Sequence, residues 1–208
     1  NNLRIDFPHY DAYIQGRFEE NVFEGGNEYR HIDLTTVRNK TDRISRLFSN
    51  EKSYITYLYP DNKRTFQKYL EYQDINGRFL VKTIDQTDNH LESEYVKTYF
   101  TVPYQEPFNK GDLYIYGGFS NWEISPKYKM KYNYTTRCYE GNAYLKQGYY
   151  NYTYLYLEDN AKKAKISTIE GSHFDTENEY IFKIYYSDPG DFYDRLLLYY
   201  IVNSREGF

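Results

Sequence analysis

The chain carries one cysteine, one methionine and one tryptophan in 208 residues. A single thiol, Cys138, excludes an internal disulfide framework, and without a CxxC pair or a Cys/His cluster at ligand spacing there is no zinc signature. No run of about 18 apolar residues is present, so no membrane-spanning helix is expected. The opening NNLRIDFPHY lacks the basic and apolar regions of a signal peptide. Lys and Arg form no block longer than a few residues and the formal net charge is −4, which gives no electrostatic footprint for nucleic acid. Starting on the strand-like LRIDF without an initiator Met, the sequence is expected to be a piece of something longer.

Tyrosine, by contrast, occurs 29 times. Its ring packs on a pleated surface while its hydroxyl stays wet, so the composition points to an all-β protein. Short strand-like runs separated by turn residues agree with that: LRIDF, AYIQGRF, EYRHIDL, SYITYLYP, RFLVKTI and EYVKTYFTV, then DLYIYGGF, KYKMKYN, CYEGNAYLK, GYYNYTYLYLED, YIFKIYYSD and DRLLLYYIVN. RTFQKYLEYQD has the period of a helix and almost as well that of a strand; the strand, entering a hairpin whose turn is Asn76-Gly77, is the reading preferred. The prolines and glycine of TVPYQEPFNKGD place a domain boundary near Pro103. Two β-sandwich domains follow, residues 1–103 and 104–208, the second immunoglobulin-like. In YYNYTYLYL, Tyr150, Tyr152, Tyr154 and Tyr156 share a core face, and Asn151 and Thr153 are expected on a partly solvated one.

Residues that could carry catalysis are sparse. His9, His31, His90 and His173 are scattered singly, and Ser172, His173 and Asp175 are too close in sequence to assemble as a triad. The carboxylates of DQTDNHLESE lack the spacing and the glycine of an EF-hand loop, and GGFSNW is followed by no lysine and opens no helix. No enzyme, cofactor or metal is expected. Asn121 and Trp122 form the candidate ligand site, since an exposed indole stacks on sugar rings while a neighbouring amide bonds hydroxyls; the competing role for Trp122 is to close the end of a sandwich. In IEGSHFDTENEY, the residues His173, Phe174, Glu177 and Tyr180 are the candidate partner-binding face, with Asp194 and Arg195 expected to pair with that loop.

Two resemblances add to these readings. GGFSNW, KMKYN and CYEGNAYLKQGYYNYTYLYLED resemble, over Asp112 to Asp159, the glycogen- and starch-binding modules attached to branching-type enzymes. That implies an E-set sandwich with Trp122 at a sugar-stacking position; the second stacking Trp of that family is replaced by DNAKKAK. A longer resemblance runs through NEYRHIDL, LYPDNKRTF, DINGRFLV, EYVKTYFTVPY, GDLYIYGGFSNW, LKQGYYNYTYLYLED and IEGSHFDTENEY to YDRL. This order is similar to the type IX secretion system plug proteins of Bacteroidetes. It implies a periplasmic, non-catalytic gate that docks on an outer-membrane translocon and does not itself enter the membrane. Binding to a glucan is the alternative implied by the first resemblance.

Overall fold

The computed structural model describes residues 4–7, 10–13, 24–50, 53–69, 71, 74–89, 91–161 and 163–204. His9 and His90 lie outside them, as do residues 14–18 of the expected second strand. In chain order the strands are β1 (Arg4–Phe7), β2 (Tyr10–Tyr13), β3 (Arg30–Asp33), β4 (Ile44–Asn50), β5 (Ser53–Leu58), β6 (Phe79–Val81) and β7 (Tyr95–Pro103). They continue as β8 (Asp112–Tyr116), β9 (Lys131–Asn133), β10 (Cys138–Lys146), β11 (Gly148–Leu157), β12 (Glu179–Tyr186) and β13 (Arg195–Asn203), with one helical turn, α1 (Ser167–Glu170), before β12. The all-β class expected from the tyrosine-rich, turn-punctuated sequence is what the chain adopts.

Two compact units result: Gly26–Ser172, and Asn1–Gly25 together with His173–Phe208. The first unit is a sandwich. One sheet runs β4-β5-β7-β10-β9, all antiparallel except for the parallel pair β5/β7. The other runs β3-β11-β6, with β8 paired to the second half of β11. Strict alternation along β7 turns Val96, Phe100 and Val102 inward, joined by Ala143 and Leu145 of β10. They meet Tyr150, Tyr152 and Tyr154 of β11, where Phe100 and Tyr152 pack edge-on with ring centres 5.1 Å apart. Each large apolar side chain buried here is worth about 1.5–3 kcal/mol.

The sequence reading needs correction at several points of this unit. β7 ends at Pro103 and pairs with β10 along its whole length, from Tyr95 opposite Lys146 to Pro103 opposite Cys138. Pro103 therefore marks a strand end, and the chain does not divide there: residues on both sides share one sheet and one core. β11 is covered on both faces, because the turn at 75–77 and α1 lie over the face opposite the core; Asn151 and Thr153 are buried along with the tyrosines. Asn151 is satisfied by accepting from the Ile75 and Gly77 N–H groups at 2.6 and 3.3 Å. Asn76 and Gly77 do form a left-handed turn, φ 53° and 73°, yet the strand that follows it, β6, pairs with β11 and closes no hairpin. The described part of RTFQKYLEYQD is irregular because its polar groups are held one by one: the Thr65 hydroxyl donates to the Thr168 carbonyl at 3.3 Å and the Tyr69 hydroxyl to Glu28. β4 was not anticipated.

The second unit is a four-stranded antiparallel sheet in the order β13-β12-β1-β2. β12 and β13 pair from Glu179/Asn203 to Tyr186/Arg195 with a bulge at Ile184/Tyr185.

Candidate functional site

Three regions gather the polar and exposed aromatic groups that the core does not use. The first lies inside the sandwich. β3 alternates so that Arg30 and Ile32 both face inward, which brings a guanidinium under the β11 tyrosines. Asp61, just after β5, has a side chain with no exposure, and Glu170, the last residue of α1, is 1% exposed. Arg30 joins them: Nη1 donates to Asp61 at 3.0 Å, Nε to Glu170 at 3.0 Å, and Nη2 to the Asn62 carbonyl at 2.7 Å. Asp61 also accepts from Arg43 and, at 2.7 Å each, from the hydroxyls of Tyr152 and Tyr154. Glu170 accepts from Arg64 Nε at 2.7 Å and from the Tyr154 N–H at 3.2 Å.

Two carboxylates can stay ionised out of water only when their lone pairs are met in this way. Burial works against the Arg30 cation, but Glu170 and Asp61 outweigh it and lift its pKa above the ordinary guanidinium value. Burial, reinforced by Asp61, pushes the Tyr152 and Tyr154 phenols well up, so both remain donors. Over the network opens a cleft of about 270 Å³ lined by Arg30, His31, Arg43, Asn62, Arg64 and Gln67. None of these charged residues was singled out from sequence, where Arg30, Asp61 and Glu170 stand far apart and carry no shared spacing.

The second region is the Trp122 corner. A 3-10 turn at Gly118–Ser120 ends with Asn121 and Trp122 both left-handed, φ 54° and 60°. The indole is 43% exposed. Tyr29 and Tyr116 meet it edge-on, with ring centres 6.1 and 5.6 Å away, and the Tyr116 hydroxyl donates to the Trp122 carbonyl at 2.8 Å. Its rim lies over Gly77, where a Cβ would fall 2.3 Å from the indole Cη2. Tyr29 is half-buried here, and desolvation first, then Tyr116 and Asp74, pushes its pKa up to about 12. The corner is thus a packed junction of three rings with one open flank, beside which Asn121 is exposed.

The third region belongs to the four-stranded sheet and the loop before it. Phe174 is fully exposed and Glu177 accepts from the Asn203 amide at 2.6 Å, whereas His173 is half-buried and Tyr180 sits within β12 opposite Val202. Asn178 organises the loop, donating to the Gly25 and Thr176 carbonyls at 2.9 and 3.1 Å. The expected pairing of Arg195 with this loop does not occur: its guanidinium turns to Asp188 at 2.7 Å and Asp191 at 3.1 Å, which are nearer along the hairpin. β13 itself is unusual. Leu196, Leu197, Leu198, Tyr199, Tyr200 and Ile201 follow one another with exposures of 45 to 62%. Beyond the bulge at Leu197, successive residues point to opposite faces, Leu198 and Tyr200 to one and Tyr199 and Ile201 to the other, so both faces of β13 are apolar and open, and β13 is the outermost strand of the described sheet.

No family model and no curated protein matches the chain. A solved structure does. It is the crystal structure of a hypothetical protein from Parabacteroides merdae ATCC 43184, 32% identical and superposing with a TM-score of 0.79 over 87% of this chain. The match takes in 45% of that protein, so the chain spans less than half the length of this neighbour. The share of the chain covered is larger than residues 26–172 alone, and the likeness therefore reaches into the other unit as well.

Proposed function

We propose that the protein is a non-catalytic interaction module of a bacterial envelope, acting as a plug or gate that docks in the periplasm on an outer-membrane translocon of the type IX kind. The observation that carries this reading is β13, an outermost strand with six successive large apolar residues exposed on both faces. Such a strand offers unpaired backbone groups and apolar side chains together, the requirements for adding a partner strand. Exposed apolar surface of this extent marks contact surfaces in soluble proteins. The origin of the structural neighbour in Parabacteroides and the order of motifs from NEYRHIDL to YDRL favour this partner over a generic one. Phe174 and Glu177 are exposed in the same unit, and Glu177 meets Asn203 at the end of β13.

The test is binding of the purified protein to the purified translocon. Tyr199→Arg and Ile201→Arg, on one face of β13, each weaken it by about tenfold or more, since a buried unpaired charge at an interface costs at least about 1.4 kcal/mol. Binding unchanged by substitutions on both faces would sink the proposal. A second reading, binding of a glucan at Trp122, rests on the open flank of the indole and the exposed Asn121 beside it. It requires saturable binding of soluble glucan that Trp122→Ala removes; the docking reading expects none to be measured.

A further inference from the structure

The cleft above Asp61 and Glu170 has a lining of one character. Its charged walls are three guanidinium groups, Arg30, Arg43 and Arg64, with His31, Pro60, Asn62 and Gln67 completing it, and no carboxylate is among the described lining residues. The two acids that orient the arginines lie beneath, almost wholly shielded, so they fix direction without facing the opening. Arg43 meets Asp61 through Nη2, and its side chain is still 32% exposed where it lines the cleft. Arg64 donates from Nε to Glu170 at 2.7 Å and from Nη2 to the Glu28 carbonyl at 2.6 Å. Two further acids neighbour the lining: Asp42, well solvated, accepts from the Arg43 N–H at 2.9 Å and faces His31 Nε2 at 3.2 Å, while the Glu28 carboxylate receives the Tyr69 hydroxyl. Guanidinium groups held in fixed directions by buried carboxylates, with side-chain amides beside them, form a rigid fork for two oxygens of one group.

We propose that this cleft binds a small oxyanion, a carboxylate or phosphate group, against Arg43 and Arg64 with Asn62 and Gln67 at its edge. The volume of about 270 Å³ suits a group of a few heavy atoms and excludes an extended polymer. The site is independent of β13 and of Trp122, so it stands or falls without the docking reading.

The experiment is calorimetric titration of the whole protein with inorganic phosphate and, separately, with succinate, each against potassium chloride at matched ionic strength. Saturable binding of either anion above the chloride control is expected, and the arm that saturates identifies the chemistry. Arg43→Gln weakens it by about tenfold or more, the value of a hydrogen bond to a charged group. Because Arg43 also supports Asp61, Gln67→Glu provides a variant that leaves the buried network intact while placing a negative charge on the wall, and it too abolishes binding. No saturation with either anion, or saturation that survives both substitutions, overturns the proposal.

Discussion

Asp61, Glu170 and Asp85 show two ways in which this chain keeps a carboxylate out of water. Asp61 is matched by arginines and two tyrosine hydroxyls, Glu170 by arginines and the Tyr154 N–H, and removing one partner of such a set costs about 3–5 kcal/mol because the rest stays buried and unmet. Asp85 is satisfied mostly by neutral donors: the Thr36 hydroxyl and the Val37 N–H at 2.7 Å each, and the Gln147 amide at 3.0 Å. Burial alone would raise its pKa, but the Val37, Thr36 and Gln147 hydrogen bonds, helped by Arg38, outweigh it and hold Asp85 below the ordinary carboxylate range. A group whose folded pKa is depressed contributes stability above its unfolded pKa and loses it as the pH falls through the folded one. Asp85→Asn should therefore lower stability at neutral pH and leave a flatter acid limb than the wild type. Urea midpoints measured from neutral pH down past the carboxylate range would reveal it, and parallel acid limbs would count against it.

At the scale of elements, the turn Asn76-Gly77 and the turn bearing Trp122 are built against each other: the Gly118 N–H donates to the Gly77 carbonyl at 2.8 Å and the indole rim covers Gly77. Gly77 has φ 73°, and an added Cβ would meet both Trp122 and Tyr29 within 2.7 Å. Gly77→Ala is expected to destabilise the sandwich by about 1–3 kcal/mol and to shift the emission of the single tryptophan; unchanged fluorescence would show that the corner does not depend on it. Elements of this kind divide cleanly by legibility. Strands with an alternating or tyrosine-rich pattern, such as β7, β10 and β11, were readable, because period two is written in the residues themselves. β4, ISRLFSN, was not, since its solvent face carries Arg46 and Phe48 and its inner face is interrupted by a bulge near Ile44. Trp122 and Asn121 were legible as a turn from GGFSNW, but whether the indole was open depended on Tyr29 and Tyr116, which reach it from elsewhere. The arginine-carboxylate network was illegible for the same reason: its members are joined by packing and by no local spacing.

At the scale of the whole molecule, the two units solve the burial problem differently. Gly26–Ser172 closes its apolar side chains between two sheets, while the unit formed by the two ends of the chain leaves apolar residues open along an outermost strand. On the docking proposal, the apolar residues of β13 are covered only in the complex, so the arginine substitutions in β13 belong to this scale: they should weaken association far more than they weaken the closed sandwich. The division near Pro103 expected from prolines failed here as well, because composition records where a strand stops and not which strand it will pair with next.

The network beneath the cleft also has a consequence in time. Arg30 and Glu170 are 140 positions apart, yet they share one buried ion pair, and β3 waits for β11 as its partner. Contacts of such long range close only after the intervening chain has been made and collapsed, which puts this sandwich among slowly folding, high-contact-order proteins. Until α1 is in place, Arg30 has no Glu170 to meet, so the ion pair needs both ends of the unit.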